Sequence, residues 1–329
     1  MMRSLFTGGA LVVCGVLCAS ATPVFAGGKY TTFTIQNAIQ TAAGCIDDKG
    51  YVSGWYMDQA DRNHGILRAP DGTITEFNVS GASDTFGGSI NNKLVITGGY
   101  FVDAYNEYGY VRAADGTITT FGSVGTLPTA INDAGAITGL TGGSQGFLRA
   151  KDGTFTYFTP PGATMTWPEG INKSGVVAGW AWKGSTHAEG FVRAADGTLT
   201  TIDVTGAVRT QPYGINDSGV ITGFYTDSQG MFHGFVRDAS GNITSFDPTG
   251  STGTSPEKIN NKGEIVGGYL DASGAYHGFL RSPGGKIKTF DPKGSTYTLA
   301  LSINNLGVVS GGYGTDVNYT APTAFIRAR

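Results

Sequence analysis

The sequence predicts an all-β chain, a seven-bladed β-propeller of four-stranded antiparallel blades, on three observations. One repeat of about 44 residues recurs seven times. Each copy reads as four short strands joined by turns rich in Gly, Asn and Asp. The last copy lacks its fourth strand, and a segment matching that strand stands near the amino terminus.

The repeat is anchored by an Ile before Asn or Asp, which sets the inner strand a of each blade near Ile46, Ile90, Ile131, Ile171, Ile215, Ile259 and Ile303. Eight residues later stands Gly, at Gly54, Gly98, Gly139, Gly179, Gly223, Gly267 and Gly311. Five residues before each Ile stands Thr, at Thr41, Thr85, Thr126, Thr166, Thr210, Thr254 and Thr298. Each copy also carries an apolar or aromatic triplet ending in Arg, at Arg68, Arg112, Arg149, Arg193, Arg237, Arg281 and Arg327.

From Tyr213 the unit runs YGIND, SG, VITGFYTD, a polar link, HGFVRDA, a turn at Ser240-Gly241-Asn242, and ITSFDP. Its second strand, b, has Ile221, Gly223 and Tyr225 on one face and Val220, Thr222 and Phe224 on the other. Two apolar faces fit a sheet covered on both sides. The a–b turn Asn216-Asp217-Ser218-Gly219 ends in a residue suited to positive φ, and Asp71-Gly72, Asp115-Gly116 and Asp196-Gly197 are hairpin signals between strands c and d. Repeat two has Leu94 in place of the turn Gly, which predicts a different turn there.

The final copy ends at Ala324-Phe325-Ile326-Arg327, a strand c. Residues 30–36, beginning Tyr30-Thr31-Thr32-Phe33, match the strand d pattern of Ile118–Phe121 and Ile243–Phe246. They are expected to supply the outer strand of blade seven, which closes the ring and removes two open sheet edges.

Residues 1–26 read as a secretory signal peptide: a basic start at Arg3, an uncharged apolar run from Leu11 to Ala21, and Val24-Phe25-Ala26 before the cut. The apolar run is shorter than a spanning helix needs. An exported product, extracellular or periplasmic, without membrane insertion is therefore expected, with residues 27–329 as one domain. That domain carries 21 basic and 25 acidic residues, a net charge of −4, which offers nothing to nucleic acid. Its one cysteine, Cys45, allows no internal disulfide, and its counterparts in other repeats are mostly small, which predicts a buried, inert thiol. Charged residues make up only 14% and Gly 53 of 329, a composition of packed sheet and tight turns.

The strings GINDSGVITGFY and HGFVR resemble the bacterial "probable extracellular repeat" family named for its His-Ala-Phe motif, over nearly all of the mature chain. Gly replaces the middle Ala here, and Arg follows where many members carry Trp. The resemblance implies an exported protein of unassigned activity and transfers no site residues.

A residue present in every blade holds the blade together, whereas a function at one place needs features that some blades lack. The seven Arg and seven Thr are accordingly read as structural, each guanidinium bonding strand or loop carbonyls in room left by the strand b Gly. His64, His187, His233 and His277 stand in the links before strand c, one per blade. Asp84, Glu107, Glu169, Glu189 and Glu257 stand in loops of the same end. For an enzyme the candidates are His233, His277 and Glu169. No triad, phosphate loop or zinc spacing is visible, and neither a metal nor a cofactor is expected.

The clearest departures from the repeat are aromatic. Trp167 falls in the d–a connection of blade four and Trp180-Ala181-Trp182 ends its strand b. Trp180 matches Trp55 and Phe224 and reads as core, while Trp167 and Trp182, with Phe86 and Tyr213 nearby in the repeat, are the ligand-binding candidates. Blade three has the shortest b–c link, Leu140 to Gln145, which predicts a notch beside blade four. The expected function is a monomeric, non-enzymatic binding or scaffold protein that holds a glycan, peptide or protein on the face of its d–a and b–c connections. The alternatives are a lyase or hydrolase using His and carboxylates of that face, and a structural component of an envelope or matrix.

Overall fold

The computed structural model describes residues 28–142, 144–184, 186–315 and 322–329; the predicted signal segment 1–26 lies outside them. Every regular element among the described residues is a β-strand. In repeat five, strands a to d are Arg209–Ile215, Ile221–Thr226, Phe232–Arg237 and Ile243–Phe246, paired antiparallel in that order. The same four-stranded unit forms in repeat one from Gln40–Ile46, Val52–Met57, Asn63–Arg68 and Ile74–Phe77. Repeat four uses Met165–Ile171, Val177–Lys183, His187–Arg193 and Leu199–Ile202, and repeat six Ser251–Ile259, Ile265–Asp271, Tyr276–Arg281 and Ile287–Phe290. Repeat three follows with Leu127–Ile131, Ile137–Thr141, Gln145–Arg149 and Phe155–Phe158.

Repeat two departs in strand a, which breaks into Asp84–Thr85 and Ser89–Ile90 around Phe86-Gly87-Gly88. A side chain at Gly87 would overlap the backbone of Gly54, so the break lets two backbones approach closely. In repeat seven, Tyr297–Ile303, Val309–Gly314 and Thr323–Arg327 pair in order, and the fourth strand is Tyr30–Phe33, with Tyr30 opposite Arg327 and Phe33 opposite Ala324. This strand stops at Phe33, short of the expected residue 36, because the Ile35 N–H turns away to the Thr41 hydroxyl at 3.1 Å.

Strand a is bulged just before its Ile; in repeats three to six the shift follows Pro128, Pro168, Pro212 and Pro256. Proline has no N–H for the ladder, so a bulge there loses little. The repeated strand b Gly lies against this distortion. A Cβ at Gly223 would overlap the Gln211 carbonyl, and one at Gly139 the Leu127 carbonyl. The sequence reading that this Gly makes room for Arg is thereby corrected: the space is taken by the strand a carbonyl.

The Arg side chains instead reach the neighbouring repeat. The guanidiniums of Arg68, Arg112, Arg149, Arg193, Arg237 and Arg281 turn to the carbonyl after them, as Arg281 Nη1 does to Ser282 O at 3.3 Å, and all of the seven but Arg237 lie over the last strand d aromatic of the preceding unit. Arg281 is 4.8 Å from the Phe246 ring centre, Arg327 4.6 Å from Phe290 and Arg68 5.0 Å from Phe33. Six of the seven arginines make this contact; for Arg237 the matching strand d residue is Ile202. The Nε of Arg68, Arg112, Arg149, Arg193, Arg281 and Arg327 is buried with no hydrogen-bond partner, so the rings take the place of carbonyls for much of each cation. Two positions before each Arg is a sealed core residue: Ile66, Tyr110, Phe147, Phe235, Phe279 and Phe325 are 0% exposed and Phe191 2%.

The repeated Thr fastens the d–a connection, Thr85 and Thr210 accepting from Val79 N and Val204 N at 3.1 Å. Thr166 has no such donor, since Pro160 stands at that place, and its hydroxyl is buried without a partner. The expected difference in the repeat-two turn is not found. Leu94 adopts φ +60°, and its N–H closes on Asn91 O at 3.0 Å just as Gly219 closes on Asn216 O. Cys45 is half-buried rather than sealed, and packs beside the cluster of Ile90, Ile96 and Tyr110.

The residue after each repeated Ile links neighbouring units. Nδ2 of Asn91 donates to Asn132 O at 2.9 Å, Asn132 to Asn172 O at 2.9 Å, Asn172 to Asn216 O at 3.3 Å and Asn216 to Asn260 O at 3.2 Å. The series continues from Asn260 to Asn304 O at 3.0 Å and from Asn304 back to Asp47 O at 2.9 Å. Ile46, Ile90, Ile131, Ile171, Ile215, Ile259 and Ile303 line one cavity of about 220 Å³.

Candidate functional site

The bulge releases one residue of strand a from the ladder, two places before the repeated Ile. Thr129, Glu169, Tyr213, Glu257 and Leu301 stand there in repeats three to seven. A bulge re-aims its side chain, and this place varies where the rest of the unit repeats. In repeats four to six it carries Glu, Tyr and Glu.

These three side chains are sealed from bulk water, Glu169 and Glu257 at 7% exposure and Tyr213 at 4%. Lys258, beside Glu257, sends its Nζ to Glu169 O at 3.2 Å and Tyr213 O at 3.1 Å, so one ammonium ties three repeats together. Glu169 Oε1 accepts from the Trp180 indole at 3.2 Å, and Glu257 Oε1 from the Ser255 hydroxyl at 3.2 Å. Among the described residues, neither carboxylate Oε2 nor the Tyr213 hydroxyl has a hydrogen-bond partner.

Burial pushes Glu169 up to about 7, with Lys258 and the Trp180 hydrogen bond pulling the other way. Burial also pushes Glu257 up to about 8, opposed by Lys258 and reinforced by the Glu169 charge. The Tyr213 phenol is raised well above its usual value by burial first and then by both carboxylates. Two carboxyls that change charge near neutrality can give or take a proton, or trade it for a bound cation.

An aromatic wall adjoins the carboxyls. Trp167 and Trp180 stack with ring centres 5.5 Å apart and planes at 6°, and Trp182 meets Trp180 edge-on at 5.8 Å. The Arg209 guanidinium lies 4.9 Å from the Trp182 ring. Tyr213 stacks on Phe224 at 5.4 Å, and Phe224 meets Phe232 at 5.4 Å. Trp167 belongs to strand a rather than to the d–a loop, and both it and Trp182 are half-buried. Trp180 is core, at 8% exposure, and is also the ring that touches Glu169. Phe86 sits elsewhere, against Trp55 at 5.4 Å and Phe101 at 6.2 Å in repeats one and two. In repeat three the short b–c link is occupied by a contact, Thr166 N to Ser144 O at 2.9 Å.

The histidines lie within strand c, not in the links before it, and each is engaged inside its own surroundings. His277 sits between Asp291 at 2.8 Å and Asp271 at 3.2 Å, against the Tyr269 ring. His233 sits between Asp247 at 2.8 Å and Asp227 at 3.4 Å, against Tyr225. His64 repeats the arrangement with Asp58 and Glu76, and His187 contacts Val208 O and Glu189. The Asp291 hydrogen bond raises His277 against the opposing effect of burial; His233 is raised by Asp247 and Asp227 despite burial, the largest single influence on it. The contacts of Glu169 run to Trp180 and Lys258, not to His233 or His277.

Of the other carboxylates, Asp84 accepts from Asn63 Nδ2 at 2.8 Å, and Glu189 pairs with Lys183. Burial pushes Glu107 up to about 8, and its Oε1 is sealed without a partner. Among the described residues, no group of three His, Cys, Asp or Glu side chains could hold a metal, and no helix is long and apolar enough to cross a membrane. Sequence reasoning missed Lys258, and it chose Glu169 among the acidic residues without setting Glu257 beside it. The readable signal was the place two before each Ile, where Gly44 and Gly88 give way to Glu169, Tyr213 and Glu257.

No family model and no curated protein matches the chain. Among solved structures it is similar to a streptogramin B lyase, 14% identical over 92% of this chain and 98% of that one, with a TM-score of 0.64. It is also similar to the β-propeller domain of the trilobed protease from Pyrococcus furiosus, described as having an open velcro topology: 10% identity, 87% and 95% coverage, TM-score 0.62. A prolyl endopeptidase structure aligns at 10% identity and TM-score 0.61 over 89% of this chain, which spans only 51% of that protein. At such identities the likeness is one of fold: an all-β chain of four-stranded antiparallel sheets with β-propeller neighbours.

Proposed function

We propose that this chain is an exported, closed seven-bladed β-propeller that binds its ligand through the face of the d–a and b–c connections, without catalysis. Closure is supported by three links between the chain's ends: Tyr30–Phe33 pairs with Thr323–Arg327, Arg68 lies over Phe33, and Asn304 donates to Asp47 O. The seven repeated isoleucines around one cavity support the count. The ligand is a glycan, a peptide or a partner protein.

The observation that carries the binding reading is the Trp167–Trp180–Trp182 group, whose Trp180 indole donates to the sealed Glu169 of the Glu169, Tyr213 and Glu257 set. Flat apolar rings beside a few convergent polar groups form the usual surface of a small-molecule or glycan site. A lyase or hydrolase remains the second reading, favoured by carboxyls held near 7 and 8. His233 and His277 are clamped between aspartates of their own sheets, which supports a structural part for them.

The test is a glycan and peptide array probed with the mature protein and with Trp167→Ala and Trp182→Ala. Binding by wild type that falls at least tenfold in either variant is expected. Equal signals from all three would remove the aromatic site.

A further inference from the structure

We propose that the cluster of Glu169, Tyr213 and Glu257 receives a primary ammonium group, so that the ligand of this site is an amine carried on a flat or apolar body. The proposal deepens the binding reading and rests on it for the aromatic wall.

Charge is the first ground. Two carboxylates face a single ammonium, and Lys258 Nζ is already committed to two backbone carbonyls. With both carboxyls ionised, the cluster is one positive charge short. Burying an unbalanced charge is costly, so the empty site balances itself by keeping protons.

Unused acceptors are the second. Glu169 and Glu257 each spend one oxygen, on Trp180 and on Ser255, and keep the other without a partner. The Tyr213 hydroxyl, on a side chain only 4% exposed, is likewise unpartnered among the described residues. None of these three oxygens is among the fully sealed unpaired atoms, so each retains some open surface. Three acceptor oxygens match the three N–H donors of an ammonium. A hydroxyl of a neutral sugar brings one donor and no charge.

The wall is the third. Trp180 donates its indole N–H to Glu169, and Tyr213 stacks on Phe224, so aromatic rings border the cluster on two sides. Such faces attract cations, and the same stack already carries one, Arg209 over Trp182. An ammonium that enters replaces the stored protons. The carboxyls ionise and their protons leave to solvent: one proton lost per ammonium leaves the charge of the site unchanged, and with both protons gone the two carboxylates balance Lys258 and the ligand.

The probe is phenethylamine, with 2-phenylethanol as its neutral counterpart, titrated calorimetrically into the mature protein in two buffers of different ionisation enthalpy at about pH 6.5 and 8.5. Expected are binding of the amine at least tenfold tighter than the alcohol, release of one to two protons at about pH 6.5 and less than one at about pH 8.5, and tightening by about tenfold per proton released and pH unit up to the carboxyl values. Glu257→Gln should weaken the amine at least tenfold and reduce proton release, whereas Trp167→Ala should weaken it without changing proton release. Equal binding of the two probes, no binding of the amine, or binding at about pH 6.5 without proton release would overturn the proposal on the wild-type protein alone. An array ligand lost in Trp167→Ala beside a silent phenethylamine titration would sink the amine and keep the binding face. Amine binding with proton release that is indifferent to Trp167→Ala would keep the ammonium site and sink the aromatic wall.

Discussion

Asp47→Asn should stabilise the protein, and the seven repeats supply the internal control. In repeats two to seven the residue after the Ile is Asn, and its Nδ2 donates to the carbonyl of the next unit. Asp47 holds the same place in repeat one. Its Oδ1 accepts from Lys49 N at 2.9 Å and Tyr51 N at 2.8 Å, as Asn91 Oδ1 accepts from Lys93 N and Val95 N. Its Oδ2 therefore stands where the other six units have Nδ2, and it is buried with no partner. The residue is 3% exposed.

Restoring the amide adds one hydrogen bond, worth about 0.5–1.5 kcal/mol net, and removes an unsatisfied buried oxygen that costs about 1–3 kcal/mol. Discounting the overlap between these, the gain is about 1–3 kcal/mol, or roughly 2–6 °C in Tm for a chain of this size. Burial raises the Asp47 carboxyl above its ordinary 3.8, against the pull of the Tyr51 and Lys49 amides. A raised folded value means that the stabilising state is the protonated one, complete below 3.8 and lost as pH rises through the folded value. Protonated Asp47 can donate as Asn does, so the advantage of Asp47→Asn should be largest at pH 7 and shrink in acid. Calorimetric melting of both proteins at about pH 7 and pH 4, with Asn132→Asp as the reverse change, reads all of this. An unchanged or lower Tm for Asp47→Asn at pH 7, or no loss in Asn132→Asp, refutes the reasoning.

Truncating the repeated Arg should cost least where the ring is missing: Arg281→Ala is expected to lose about 1 kcal/mol more than Arg237→Ala, by chemical denaturation, since Arg237 faces Ile202. Ile202→Phe should narrow that gap. Gly223→Ala forces a Cβ against the Gln211 carbonyl and should cost about 1–3 kcal/mol or prevent folding, whereas Gly206→Ala, at φ +84° with open space around it, should cost only about 1–2 kcal/mol. Glu169 and Glu257, raised to about 7 and 8, contribute stability that is complete below 4.5 and lost as pH rises through those values. The wild-type unfolding free energy should thus fall between pH 6 and 9 by an amount on the order of 3 kcal/mol, read as a falling Tm, and Glu257→Gln should flatten much of the fall. Deleting residues 28–35 exposes the Thr323–Arg327 edge and uncovers Arg68, which should lower Tm and promote self-association seen by light scattering.

The scaffold was legible because each of its devices recurs. Ile, Asn, Thr, Gly and Arg stand in register, so the four-strand order of each unit and the terminal Tyr30–Phe33 pairing follow from spacing. What each device does was less legible. The strand b Gly answers to a carbonyl displaced by the bulge, and a bulge shows only as an extra residue in one strand of a pair, which spacing within a single strand does not reveal. The turn at Leu94 kept its shape because six sister turns and the Asn91 bonds hold it, at a backbone cost that a local residue rule counts as prohibitive. Trp167, Glu169 and Glu257 read as loop residues from the sequence for the same reason. Strand a begins earlier than its apolar pattern suggests, since these polar and aromatic residues are part of the strand.

The division between repeated and singular residues then has a physical cause. The a–b pairing passes around the bulge residue, so its side chain can vary without disturbing the register: Thr129, Tyr213 and Leu301 occupy equivalent places in sheets that pair alike. That freedom makes it the cheapest inner position at which to set chemistry. Two buried carboxyls and an unpartnered phenol oppose stability locally at neutral pH, although Lys258 ties their strands together. They are tolerated because Asn, Arg and Gly contacts from every other unit hold the backbone in place. A cluster that opposes stability at neutral pH, at the one tier where the fold does not dictate the residue, is where selection for a ligand would leave its mark.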